Sequence, residues 1–147
     1  MGKQFETARG TVYPWEMDHA GHLNVRFYTA RFDEASWQLF ANFGVTGGYM
    51  RTNNRGMAAL EQHTYYKREI HPGTLVRVSS EIEDVKAKVV RFTHRMYDVE
   101  TEEELASTTI TAAHLDTEAR RAVAFASEIA ARLAEAVGRT RALPAPR

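Results

Sequence analysis

Between Val25 and Phe43 the apolar residues Tyr28, Phe32, Ala35, Leu39 and Phe43 recur at steps of three and four, with Arg26, Arg31, Asp33, Glu34 and Gln38 largely between them. That spacing gathers the apolar set on one stripe of a helix, and Gly44 stands where such a helix would end. Ahead of it, Phe5 to Tyr13 reads as an extended segment stopped at Pro14, which cannot donate to a strand ladder. Beyond it the period shortens to two. Strand-like runs cover Met57 to Arg68, Leu75 to Val85, Lys88 to Asp98 and Leu105 to Leu115. Val76, Val78 and Ile82 share one face, as do Val90, Phe92 and Met96, the pattern of a half-buried antiparallel sheet. Pro72-Gly73, the acidic run Asp98 to Glu104, and Asp116 to Arg121 read as turns, and Val45 to Arg55, with Gly47, Gly48 and two asparagines, as a loop free to lie over a site. Ala126, Ile129, Leu133 and Val137 trace a short closing helix, and 138–147 reads as a disordered tail.

One long helix set among five extended runs predicts an α+β layout in which an antiparallel sheet wraps the helix, as a single domain over 1–137 without internal repeats. A lone helix covers only one face of such a sheet, leaving outward apolar groups such as Val89 and Tyr97. A homo-oligomer, dimer or tetramer, is therefore expected.

Composition narrows the partners. Lys plus Arg and Asp plus Glu each number 19, so there is no basic excess of the kind that holds nucleic acid or an anionic membrane, and neither is expected as a partner. The absence of cysteine removes disulfides, thiolate nucleophiles and cysteine metal sites. No apolar run approaches membrane-spanning length, and the opening Met-Gly-Lys-Gln-Phe-Glu lacks a signal-peptide apolar core. A cytoplasmic location is the expectation.

The chemistry concentrates between Trp15 and Tyr28, where Glu16, Asp18, His19 and His22 surround Gly21, and Asn24 is placed to cap the helix. A carboxylate beside a helix start has a rationale: free amides and positive potential there polarise a carbonyl while the carboxylate attacks it or activates water. An aspartate in a loop also commonly just holds a turn. Glu16, Asp18, His19 and His22 would suit zinc or iron by donor type, but they lack the spacing of a helical zinc motif and no further ligand cluster accompanies them. Neither metal nor organic cofactor is expected. His63, His71, His94 and His114 read as ordinary strand and turn residues. No Gly-x-Ser-x-Gly elbow, phosphate loop or dinucleotide fingerprint occurs.

The run Glu-Met-Asp-His-Ala-Gly-His-Leu-Asn at 16–24, followed by Tyr28 on a helix, resembles the signature of hotdog-fold acyl-CoA thioesterases of the 4-hydroxybenzoyl-CoA thioesterase type. Tyr-Lys-Arg-Glu-Ile-His-Pro-Gly at 66–73 is similar to a second family anchor, and the resemblance spans roughly residues 4 to 125. Glu16 stands where Asp is commoner in that signature, and Val25 where a second Asn is usual. The resemblance implies a five- or six-stranded antiparallel sheet wrapped around one long helix, a dimer whose two sheets join edge to edge, and two active sites between the subunits. It implies hydrolysis of an acyl-CoA thioester with Asp18 as general base or nucleophile, the Val25 backbone amide as oxyanion donor, and His22 and Asn24 holding the loop. Trp15, Tyr66, Lys67, Arg68, Lys88 and Arg91 are candidates to bind the substrate, the cations through the phosphates of coenzyme A. Trp15, Trp37, Phe40 and Tyr49 are candidates for the acyl pocket, although aromatic residues on a helix are more often core, and Glu61 is a second candidate carboxylate. The main alternative is a binding protein of the same fold that holds an acyl thioester or lipid without turnover.

Overall fold

The two-residue alternation becomes one curled antiparallel sheet in the computed structural model, which describes residues 2–137. β1 (Phe5–Thr11), β2 (Arg55–Tyr66), β3 (Leu75–Val85), β4 (Val89–Asp98) and β5 (Glu104–Asp116) stand in the order β1-β3-β4-β5-β2, and a short β6 (Arg121–Ala122) pairs with β5. The central helix α1 (Val25–Ala41) packs on the sheet, giving the hotdog fold. A closing helix α3 (Ser127–Ala136) covers the end of the sheet away from the start of α1. The tail expected at 138–147 lies outside the described residues.

The stripe read from the sequence is the buried one. Tyr28, Phe32, Ala35 and Leu39 are between 0% and 4% exposed. They divide between two core clusters, so α1 spans both. Its first half meets Val76, Val78, Met96 and Ile70, and its second half meets Ile82, Val90, Phe92 and the α3 residues Ile129 and Leu133. Each such side chain contributes about 1.5–3 kcal/mol on full burial, which makes this stripe the main cohesive term between helix and sheet.

Two features depart from the pattern reading. The segment taken as a loop contains a helix, α2 (Gly47–Asn53), because Thr46 caps it by accepting from the Tyr49 amide, and Tyr49 and Met50 pack on the core. Anchoring from both sides outweighs the poor helix propensity of the Gly47-Gly48 pair. The buried faces of β3 and β4 are also not wholly apolar. Ser80 and His94 occupy the positions that interrupt the two hydrophobic series, and they are direct partners across the strands.

β2 is an edge strand of 12 residues, paired on one side by β5. Leu60, Tyr65 and Tyr66 on it are 50–62% exposed. A long strand edge with exposed apolar groups is a template for further pairing.

Candidate active site

The chain leaves β1 through a single 3₁₀ turn at Pro14–Glu16 and enters a loop closed by an antiparallel bridge between Met17 and Leu23. Inside it the Asp18 amide donates to the His22 carbonyl at 2.9 Å and the Gly21 amide donates to the Asp18 carbonyl at 3.1 Å. Gly21 has φ of 84°, a conformation that side-chain-bearing residues adopt at a cost. Asp18 Oδ1 accepts from the Ala20 amide at 2.8 Å, and Oδ2 has no hydrogen-bond partner among the described residues.

Glu16 lies outside this arrangement. It is 7% exposed, and both its oxygens accept from Arg31 Nη2 at 3.0 Å while Oε1 also accepts from the Tyr13 amide at 2.9 Å. Arg31 donates in addition to the Thr11 carbonyl at 3.0 Å, and a Cβ at Gly10 would collide with its guanidinium. The pair pins the end of β1 and the loop to α1. Glu16 is thereby committed, and the four-residue donor set of Glu16, Asp18, His19 and His22 does not form.

At the helix start, the Asn24 side chain accepts from the Arg26 amide at 3.1 Å and the Phe27 amide donates to the Asn24 carbonyl at 2.9 Å. The Val25 amide, on a residue 57% exposed, has no partner among the described residues. It is a free donor at the positive end of a 17-residue helix.

Beside it opens a cleft of about 220 Å³ bordered by His22, Val25, Tyr66, Lys67, Arg68 and Glu69. Tyr28 forms its floor. Its hydroxyl donates to the Arg68 carbonyl at 3.1 Å, its ring meets that of Tyr66 edge-on at 5.0 Å, and burial raises its pKa. Lys67 and Arg68 reach the cleft, paired with Glu104 at 3.0 Å and Glu103 at 3.8 Å.

Lys88 and Arg91 do not join them. They lie at the β3–β4 hairpin, the far end of β3 from the loop, and Arg91 pairs with Glu83 at 3.6 Å. Trp15 is also elsewhere, 71% exposed and stacked on Tyr13 at 4.5 Å. Trp37 and Phe40 line a second cavity of about 150 Å³ between α1 and the sheet, with Thr29, Asp33 and Ser36. Tyr49 does not line it, because its hydroxyl donates at 3.1 Å to Nε2 of the buried His114, whose Nδ1–H is directed at the Val123 carbonyl at 3.0 Å. Glu61 is exposed on β2, beside a shift in register.

Two histidines read as ordinary turn or strand residues have particular settings. His71 lies beside His22 and Glu69. His94, 0% exposed, has Nδ1 at 2.5 Å from Ser80 Oγ and Nε2 at 2.8 Å from Ser36 Oγ. Ser36 donates to the Phe32 carbonyl at 3.0 Å, so His94 donates through Nε2 and accepts at Nδ1 from Ser80, whose oxygen is 2.7 Å from Thr7 Oγ1. Burial drives the His94 pKa from 6.5 down to about 3, and the ring is neutral. The sequence signal for this network was polar residues inside an alternating apolar face.

Residues 12–133 match the thioesterase-like superfamily. The chain belongs to that superfamily. No curated protein matches it in sequence. Among solved structures it is similar to a Pseudomonas putida protein provisionally assigned as a thioesterase, with 26% identity, a TM-score of 0.78, and coverage of 97% of this chain and 99% of that one. A Staphylococcus aureus protein solved in complex with CoA has 18% identity and a TM-score of 0.86, over 99% of this chain and 92% of that one. A 1,4-dihydroxy-2-naphthoyl-CoA thioesterase from Synechocystis has 13% identity and a TM-score of 0.79, over 90% of this chain and 97% of that one. These last two similarities establish the fold. As a thioesterase-like protein the chain is by class a thioester hydrolase. Among the described residues no helix is long and apolar enough to cross a membrane.

Proposed function

We propose that this thioesterase-like protein hydrolyses an acyl-CoA with a small acyl group, using Asp18 as general base or nucleophile. The observation that carries the reading is the unpartnered Val25 amide at the start of α1, following the loop that holds Asp18 with one free carboxylate oxygen. A thioester carbonyl accepting from that amide would have its developing negative charge met by a donor fixed before reaction, and Asp18 would attack the carbonyl carbon or take a proton from water. The role asks nothing of the Val25 side chain, so the departure from Asn there leaves it intact. His22 and Asn24 hold the loop and the helix start.

The two cavities divide the substrate. The cleft with Tyr66, Lys67 and Arg68 suits the polar CoA arm, and the apolar cavity with Trp37 and Phe40 suits the acyl group. Its volume of about 150 Å³ matches that of a cavity known to hold one benzene ring, which favours short or aromatic acyl groups. A two-fold dimer through the β2 edges would run the two strands antiparallel and bring the far end of one subunit beside the cleft of the other. Lys88 and Arg91 of the partner subunit would then reach the CoA phosphates.

The test is Asp18→Asn assayed over short, long and aromatic acyl-CoAs. The substitution removes charge and basicity at nearly constant shape, so turnover should fall by about 10²- to 10⁴-fold with little change in ligand affinity. Single turnover in labelled water detects the nucleophilic route: label in the Asp18 side chain marks a mixed anhydride opened at the Asp18 carboxyl carbon, whereas label only in the product acid is common to activated water and to an anhydride opened at the acyl carbon. Nearly wild-type turnover in Asp18→Asn would remove the assignment and make Glu61 the next carboxylate to test.

A further inference from the structure

The segment between β2 and β3 runs beside the 17–23 loop, tied to it by the Leu23 amide donating to the Ile70 carbonyl at 2.9 Å. Leu23 and Ile70 both point into the core, at 4% and 1% exposure. Burying Ile70 turns its neighbours Glu69 and His71 outward, and burying Leu23 does the same for His22. The outcome is a three-residue cluster on the protein surface. His22 Nε2 and Glu69 Oε2 are 3.1 Å apart, the His22 and His71 ring centroids are 5.3 Å apart at 67°, and one donor atom from each of the three lies within 4.8 Å of the others.

We infer that His22, Glu69 and His71 form a binding site for a zinc-type divalent cation that bridges the Asp18 loop and the 69–71 segment. Two imidazoles and one carboxylate are a borderline-soft donor set, matched to zinc or cobalt and mismatched to magnesium or calcium, which favour all-oxygen shells. Donors about 2.0–2.2 Å from a zinc ion and tetrahedrally disposed stand roughly 3.3–3.6 Å from one another. The His22–Glu69 pair, at 3.1 Å, stands a few tenths of an ångström inside that spacing and the three donors all lie within 4.8 Å of one another, so side-chain rotation would bring the set to it without backbone movement.

The backbone that carries the ligands is fixed in advance. Pro72 restricts His71 to extended conformations, and the His71 carbonyl accepts from the Thr74 amide at 3.2 Å and the Thr74 hydroxyl at 2.8 Å. The His22 carbonyl holds the Asp18 amide at 2.9 Å. Without a cation the pair of half-buried His22 and exposed Glu69 contributes little, so ion pairing alone does not account for a second imidazole beside it. Three protein ligands leave a coordination position open to solvent. The site lies beside the proposed hydrolytic groups and supplies none of them. Its consequence is mechanical: occupancy joins the loop that carries Asp18 to the segment that borders the cleft.

Tag-free full-length protein, stripped with chelator, would be titrated with Co²⁺ under visible absorption and then with Zn²⁺ in competition. The expected result is a d–d band of a four- or five-coordinate site saturating at one cobalt per chain, displaced by zinc, with a zinc-dependent rise in Tm. His71→Ala and Glu69→Gln should each weaken zinc at least tenfold, since loss of groups that merely orient a ligand already costs about 10- to 100-fold. Both side chains are exposed, so metal-free Tm and far-UV circular dichroism should match wild type. His19→Ala should bind as wild type does. Unchanged zinc affinity in His71→Ala, loss of binding in His19→Ala, or no saturable cobalt band would each overturn the site.

Discussion

Acidification should destabilise this fold through His94, by an amount that the structure bounds. The ring lies nearly parallel to Phe32 at 6.0 Å and is tilted against Phe92 at 5.1 Å, and both its nitrogens are engaged by serine hydroxyls. Desolvation therefore holds its pKa at about 3, against 6.5 in the unfolded chain. Between those values the unfolded chain binds a proton that the folded chain refuses. Stability from the neutral ring is thus fully present above pH 6.5 and is lost progressively as pH falls toward 3. At about 1.4 kcal/mol per pH unit, moving from pH 6.5 to pH 4 costs about 3 kcal/mol, a sizeable share of the roughly 5–15 kcal/mol that holds a typical domain folded. His94→Leu removes the titration. At pH 7 it should be less stable than wild type by about 1–3 kcal/mol, because Ser36 and Ser80 each lose a partner while keeping Phe32 and Thr7. At pH 4 the difference should vanish or reverse. Urea unfolding followed by circular dichroism at both pH values measures this, and carboxylate titration common to both proteins cancels in the comparison. Parallel loss of stability in the two proteins would refute the account of His94.

Other expectations follow from the same contacts. Glu16→Gln leaves the half-buried Arg31 without its counter-charge, so it should lower stability by about 1–3 kcal/mol in thermal or urea unfolding, whereas a purely exposed loop glutamate would tolerate the change. Light scattering should find a dimer or a dimer of dimers at micromolar concentration, because β2 offers an edge of 12 residues with Leu60 and Tyr65 exposed; a fully active monomer would remove the shared-site arrangement. Trp37→Ala enlarges the cavity under α1 and should shift the ratio of kcat/KM toward bulkier acyl groups, and an unchanged ratio would place acyl recognition elsewhere.

The sequence disclosed most where a single periodicity or a local cap governs the structure. The stripe from Tyr28 to Leu39, the paired faces of β3 and β4, the Asn24 cap and the Gly21 turn all stand where pattern and local chemistry put them. It disclosed less where residues distant in the chain meet. α2 was hidden because Gly47 and Gly48 argue for a loop until Tyr49 is seen bonded to His114, 65 residues away. Glu16 looked like a site carboxylate because nothing local announces Arg31 as its partner. His71 looked isolated because its cluster is made by a backbone bond from Leu23 to Ile70. The Ser80 and His94 interruptions were visible in the pattern, but their meaning depends on register, which one strand alone does not carry.

The dimensions of α1 connect the proposed chemistry to the size of the acyl group. At about 1.5 Å per residue, the first cavity-lining residue, Thr29, stands roughly 6 Å along the helix axis from Val25, and the last, Phe40, roughly 22 Å. A carbonyl held at the Val25 amide would thus have the apolar cavity starting about one helical turn away, within reach of a short chain or a single ring. The lining includes Phe92 and Ile110, which belong to the core cluster shared with α3, so deepening the cavity on that side would disturb that packing. Ser36 also lines the cavity, and its hydroxyl is tied to the neutral His94 ring, so the lining there offers an uncharged hydroxyl, with Asp33 and Thr29 one and two turns nearer the helix start. An aromatic acyl group carrying a hydroxyl would find a hydrogen-bond partner there. If the proposed function holds, acyl selectivity would be set by the middle of α1 and reactivity by its first residue.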